Sequence, residues 1–413
     1  MAPAPATSAP APTALVATTR QPPTSLPTPP PAPAERPTAA PSTAPPPRSS
    51  QAQAQGEDPQ VERTFATLAT DADRVGQLLL LGWPGSSVDA VGQTLAELKP
   101  GGIMYLDNTR SSTQARSINE AIARISRDRG LIPPLVAIDH EGGNVQRLAD
   151  LNNLGSNAQF ASRGATARDA CERGQRHAQQ LKPLGFSMNL APVLDVNNNP
   201  NNPVIGPRSY GADPELVATL GAAYARGLQS GGIAAVGKHF PGHGNTGVDS
   251  HLQLPVLPQS IEELSRVELV PFARAIGAPT NIAGIMSAHI VFPAVDPSRA
   301  PGTLSAPIMR GLLRDKMGFR GVVLSDDLAG MKAITDNFRP GEAAVRAVRA
   351  GVDLLIIAGD LPRQRESRDA LVAALASGEL DRARVDEAVR NVLRTKLRFG
   401  LLGSSSGAEV GCQ

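Results

Sequence analysis

The segment Gly237-Lys238-His239-Phe240-Pro241-Gly242-His243-Gly244-Asn245-Thr246-Gly247-Val248-Asp249-Ser250-His251 gathers a lysine, three histidines and an aspartate directly behind the apolar run 233–236. Side chains of these types are rarely buried without partners, and Gly and Pro at such spacings hold an irregular backbone close to something. A functional loop is therefore expected here rather than a stretch of core. Asp249 and His251 stand two residues apart, so in an extended loop both side chains point the same way and Asp249 can orient the imidazole. Histidine titrates near neutral pH. An oriented imidazole can therefore give a proton to a leaving group and then take one back from water. Gly242, Gly244 and Gly247 are expected to let the loop swing over a bound substrate. His243 reads either as a brace of the turn or as a working group.

The loop needs a scaffold, and the apolar pattern supplies one. Short apolar runs occur at 77–83, 102–106, 135–141, 187–195, 233–239, 284–289, 321–327 and 352–358. Helical spacing appears between them, at 114–129, 214–231, 261–276 and 343–350, and again at 382–399 after the last run. Eight β/α repeats predict a (β/α)8 TIM barrel, whose chemistry sits at the C-terminal ends of its strands. The polar residues fall there: Asp139 and Glu141, Asp195, Lys238 and His239, His289, and Asp326 with Asp327. An aspartate after a strand also commonly caps a turn, and that reading stays open for Asp139, Asp195 and Asp327.

Composition bounds the rest. Sixteen of the 38 prolines fall within residues 1–50 among Ala, Thr and Ser, so 1–60 is expected to be a disordered Pro/Ala/Thr-rich tail. Residues 61–403 are expected to form one catalytic domain and 404–413 a short flexible tail. The net charge of +2 comes without any Lys/Arg run interleaved with aromatics, which excludes nucleic acid as a partner. No stretch approaches about 20 consecutive apolar residues, so no membrane-spanning helix is expected. The tail shows no basic segment followed by an apolar one, and thus no export signal; both a cytoplasmic and an exported location stay open. With two cysteines, Cys171 in a predicted helix and Cys412 near the end, no disulfide is expected.

Two reaction classes suit a rim of carboxylates and histidines. Metal-dependent hydrolysis would use His239, His243, His251 and His289 as ligands, but the first run carries no His-x-His and the chain no His-Glu-x-x-His. No metal is therefore expected. Glycoside hydrolysis needs a carboxylate to attack the anomeric carbon and a separate proton donor. Asp326, at the tip of Gly321-Val322-Val323-Leu324-Ser325-Asp326, suits the first task, and the Asp249/His251 pair the second.

These residues carry a resemblance. The stretch Val136-Ala137-Ile138-Asp139-His140-Glu141-Gly142-Gly143-Asn144-Val145-Gln146-Arg147, then Asn189 to Val196 with Val204 to Tyr210, then Lys238 to Gly244 with Asp249-Ser250-His251, and finally Gly318-Phe319-Arg320-Gly321 leading to Asp326, together resemble the bacterial β-N-acetylhexosaminidases of glycoside hydrolase family 3. The resemblance runs over about 68–401. It implies that Asp326 is the nucleophile, that His251 is the acid/base with Asp249 as its partner, and that Asp139, Arg147, Arg208, Lys238 and His239 hold an N-acetylglucosamine unit. It also implies a retaining exo-enzyme without cofactor, acting as a monomer on a small glycan, either a muropeptide or a chitin oligomer. His140 and Asn144 depart from the family's usual Gln and Arg. A β-N-acetylglucosaminide phosphorylase is one alternative, because a histidine in place of a carboxylate removes a charge that repels phosphate. A catalytically inactive wall-glycan-binding barrel is another.

Overall fold

The computed structural model describes residues 57–83, 87–106, 109–403 and 411–412. The tail expected at 1–60, as far as residue 56, and most of the segment 404–413 lie outside the described residues.

Eight parallel strands are present: β1 (Leu79–Leu81), β2 (Gly102–Tyr105), β3 (Leu135–Ile138), β4 (Met188–Asn189), β5 (Ala234–Phe240), β6 (Gly284–Ser287), β7 (Val322–Leu324) and β8 (Leu355–Ile357). Their order is β8-β1-β2-β3-β4-β5-β6-β7, and the parallel bridge between Leu324 and Leu354 joins the two ends. The expected barrel is the one observed. Seven strands lie inside predicted apolar runs and β5 outruns its own by one residue, Phe240, because barrel strands are covered on both faces and read as nearly continuous apolar stretches.

Alternation along each strand sorts the side chains into two sets. Leu80, Met104, Leu135, Ala137, Met188, Ala234, Val236, Val322, Leu324 and Ile356 form the barrel interior, sealed by Val392 and Phe399. Leu79, Leu81, Ile103, Val136, Ile138, Ala235, Ile285, Val323 and Leu355 face the helices. The interior parity runs on through the last residues of β5 and past the ends of β3 and β7. From Leu135 and Ala137 it reaches Asp139; from Ala234 and Val236, Lys238; from Val322 and Leu324, Asp326.

Two elements differ from expectation. The predicted helix 261–276 is two helices, Ile261–Arg266 and Leu269–Ile276, because Pro271 has no N–H to give and its ring collides with the carbonyl four residues earlier. A helix at Pro59–Ala66, capped by the Asp58 side chain, lies against the closing helix Arg382–Arg398. Glu62 pairs with Arg390 at 2.6 Å, and the Arg390 guanidinium stacks 3.9 Å from the Phe65 ring centroid.

Cys171 and Cys412 are joined by a disulfide, with Cα atoms 5.6 Å apart, which corrects the expectation of two unpaired thiols. Their separation of 241 residues conceals the pairing in the sequence. Cys171 is fully buried in helix Ala167–Leu181. No helix among the described residues is long and apolar enough to cross a membrane.

Candidate active site

Just beyond β3 the chain folds into a tight hairpin, His140–Gly142 against Val145–Gln146. Its turn needs glycine. Gly142 has φ +91° and Gly143 φ +62°, and a Cβ on Gly142 would come within 2.6 Å of the Gly155 carbonyl oxygen. The hairpin carries Asp139, Glu141 and Arg147 toward the barrel axis. The two departures from the family pattern lie off that axis: Asn144 is exposed at the turn, and the buried His140 ring packs edge-on against His177, centroids 5.1 Å apart.

Lys238, two residues before the end of β5, has its Nζ 2.5 Å from Asp139 Oδ1 and 2.7 Å from Glu141 Oε1. Arg208 donates a fork to Glu141, Nε to Oε2 at 2.9 Å and a terminal nitrogen to Oε1 at 2.8 Å. Arg147 approaches Asp139 Oδ2 to 3.7 Å, and His239 Nε2 lies 3.5 Å from Arg208. All five residues expected to hold the sugar thus meet on one side of the rim. Glu141, outside that expected set, is their hub. Burial would raise its pKa, but the Arg208 and Lys238 charges outweigh burial and hold the carboxyl well below its ordinary range. Lys238 mirrors this: burial disfavours its charge, yet Asp139 and Glu141 keep its pKa above the usual value. The sequence signal for Glu141 was its parity with Asp139.

A second buried carboxylate organises the loop. Asp195 accepts from the His239 ring at 2.7 Å, from the His239 backbone N–H at 3.1 Å and from the His243 backbone N–H at 2.7 Å. It anchors these histidines, not the Asn-rich loop that follows it. Burial pushes its pKa up, and the charge and hydrogen bonds of His239, with His243, bring it below the ordinary value. The peptide between Lys238 and His239 is cis.

Opposite stands Asp326, just past the end of β7, its Oδ1 accepting from the Asp327 N–H at 2.8 Å. Burial would raise its pKa, but the charges of His289 and His239, with a contribution from His251, hold it low. Asp327 is a cap, accepting from the N–H groups of Ala329 (2.9 Å) and Ala358 (3.0 Å). His289 is fully buried and bonded on both ring nitrogens, to Thr303 Oγ1 at 2.8 Å and to the Asp327 carbonyl at 3.1 Å. Burial lowers its pKa.

His251 and Asp249 meet as expected. The His251 Nδ1 is 2.8 Å from Asp249 Oδ1, and the His251 backbone N–H donates to the same oxygen at 2.8 Å. The His251 side chain is 60 % exposed, so the far nitrogen of a ring held from behind faces outward. Burial works against the Asp249 charge, but hydrogen bonds from His251 outweigh it and keep the carboxyl below its ordinary pKa. The rings of His239, His243, His251 and His289 are each bonded to separate partners. Among the described residues no cluster of three or more His, Cys, Asp or Glu side chains has the geometry to hold a metal ion.

Fold and rim together put the chain among the barrel glycoside hydrolases. Residues 70–395 match the Glycosyl hydrolase family 3 N terminal domain, and the chain belongs to that family. It is 33% identical over 323 residues to beta-hexosaminidase A of Pseudoalteromonas piscicida, covering 72% of this chain but 53% of that one. It is 35% identical over 338 residues to beta-hexosaminidase LpqI of Mycobacterium tuberculosis, covering 80% and 83% respectively. The solved glycoside hydrolase family 3 beta-N-acetylglucosaminidase from Paenibacillus sp. str. FPU-7 superposes with a TM-score of 0.78 at 40% identity, covering 82% of this chain and 64% of that one.

Proposed function

We propose that this protein is a retaining exo-β-N-acetylglucosaminidase, acting as a monomer on N-acetylglucosamine-terminated peptidoglycan fragments. Asp139, Arg147, Arg208, Lys238 and His239 grip the hydroxyls of the terminal sugar through charge-assisted hydrogen bonds. An Asp326 carboxylate oxygen attacks the anomeric carbon as the bond to the leaving oxygen breaks, and protonated His251 gives its Nε2 proton to that oxygen. Water then attacks the same carbon and releases Asp326, passing a proton to His251. Asp249, kept anionic, holds the Nδ1–H and stabilises the imidazolium on both occasions.

The observation that carries this reading is the docking of the dyad loop on the nucleophile's own loop. The backbone N–H of Lys332 donates to the His251 carbonyl at 3.2 Å and that of Ala333 to the Ser250 carbonyl at 3.3 Å. The acid/base is thereby tethered a few residues from Asp326 in sequence. The relatives' names, β-hexosaminidase and β-N-acetylglucosaminidase, support an N-acetylated sugar as substrate.

The test is hydrolysis of p-nitrophenyl β-N-acetylglucosaminide against the matching β-glucoside, with and without chelator, in phosphate and phosphate-free buffer. Selective, chelator-insensitive hydrolysis is expected. Turnover that requires phosphate would indicate a phosphorylase, and silence on both sugars a binding protein. Asp326→Ala is expected to lower kcat by more than about a thousandfold while circular dichroism stays unchanged. His251→Ala should lose about a hundredfold to ten-thousandfold on an unactivated disaccharide and less on the aryl substrate, whose leaving group needs little protonation. Release of N-acetylglucosamine from muropeptides in preference to chitin oligomers would support the peptidoglycan assignment.

A further inference from the structure

We infer that His243 is a positioning residue for the acid/base, linking the sugar-gripping side of the rim to the Asp249/His251 dyad through Ser250. The inference rests on the dyad reading proposed above.

His243 is 2 % exposed, and every polar group it owns is engaged. Its backbone N–H goes to Asp195, the carboxylate that also orients His239. Its carbonyl accepts from the Asn202 side-chain amide at 2.9 Å. Ring Nδ1 lies 2.9 Å from Thr246 Oγ1, and ring Nε2 lies 2.9 Å from Ser250 Oγ. Thr246 and Ser250 are themselves buried. Burial drives the ring's pKa down to about 4, so it works as a neutral donor–acceptor rather than as a charge.

The ring therefore spans the loop at its base. Ser250, the residue it holds, lies between the two members of the dyad. The Ser250 carbonyl is bonded in turn to the Ala333 N–H on the nucleophile's loop. Thus Ser250 is held at its side chain by His243 and at its carbonyl by Ala333, directly between Asp249 and His251. Gly244 closes the base: a Cβ there would fall 1.7 Å from the Val196 carbonyl oxygen, so the backbone is pressed onto the segment after β4. Gly242, at φ +139°, is pressed in the same way against Glu268, where a Cβ would fall 2.6 Å from its side chain, whereas a Cβ on Gly247 would meet nothing closer than 3.9 Å.

Positioning predicts a leaving-group signature. Displacing His251 by a fraction of an ångström should slow protonation of a poor leaving group by between about tenfold and a hundredfold, yet barely affect an activated aryl glycoside. A merely structural brace would lower both rates together. Ser250→Ala and His243→Ala are to be measured on N,N′-diacetylchitobiose and on p-nitrophenyl β-N-acetylglucosaminide, with His251→Ala as the reference and thermal melts as the fold check. Selective loss on the disaccharide in both variants is the expected result. Should His243→Ala fail to fold, Ser250→Ala, which removes a single oxygen, decides. Equal loss on both substrates, or none, with His251→Ala still selective, overturns the positioning role and leaves the proposed function standing. A non-selective His251→Ala would instead remove the dyad reading, and this inference with it.

Discussion

Glu141 binds two cations while 3 % exposed, and this makes it the residue whose loss the sugar-gripping side would feel most. Glu141→Gln keeps the shape but strips the charge that Lys238 and Arg208 share, leaving the buried Lys238 with Asp139 alone and the partly buried Arg208 without its carboxylate fork. Removing one partner of a buried ion pair destabilises by about 3–5 kcal/mol. Chemical denaturation should show a loss of that order, and KM for the aryl substrate should rise more than kcat falls. At this scale the sequence speaks through parity. Asp139, Lys238 and Asp326 are each two or four residues past interior-facing apolar residues of their own strands, so their convergence on the axis follows from the pleat alone. Glu141 shares that parity, but its task depends on the hairpin that turns the chain beyond β3. Asp195 and Ser250 are harder still to read. Their roles come from hydrogen bonds to groups 44 and 7 residues away, and no local pattern encodes those.

Among the elements, the strands were the most legible because a barrel buries both their faces, so that apolar runs of five to nine residues recurring between helical patterns have one natural reading. Helix 261–276 was misread because its amphipathic spacing continues across residues 267–268, while the helical backbone breaks there, four residues before Pro271. The helix Pro59–Ala66 shows only two buried positions, Val61 and Phe65, too few for periodicity to separate it from the Pro-rich stretch before it. Its packing on the closing helix gives a prediction. Deleting residues 1–50 should leave hydrolysis of a soluble aryl substrate unchanged. Deleting residues 1–68 should expose the Arg390 face, forfeit burial of Val61 and Phe65, and cost about 3 kcal/mol or more. Differential scanning calorimetry on the two truncations would separate the effects.

For the molecule as a whole, the buried ionisable groups set how stability follows pH. Burial takes the pKa of His140 and of His243 down to about 4 and that of His177 well below its ordinary value. Unfolded histidine takes up a proton near 6.5, so between about 4 and 6.5 the unfolded chain binds more protons and stability falls as pH falls. Glu141 and Asp195 act in the same direction. Their folded pKa values are depressed, so their contribution is present above the unfolded carboxylate value and is lost as pH drops through the folded one. Lys396, fully buried with its Nζ on Gln77 Oε1 at 2.7 Å, has its pKa lowered by burial to about 7. Between there and about 10.4 the unfolded chain again holds the extra proton, and stability rises with pH. Tm should therefore climb from pH 4 to pH 7 and keep a shallower rise above it; a Tm that peaks near pH 5 would contradict this account. The bond between Cys171 and Cys412 has a consequence of another kind, one of connectivity. It turns everything between those residues into a covalent ring. A protease that cuts once inside the ring yields an opened lariat that is still one molecule, and two fragments separate only when reductant is added.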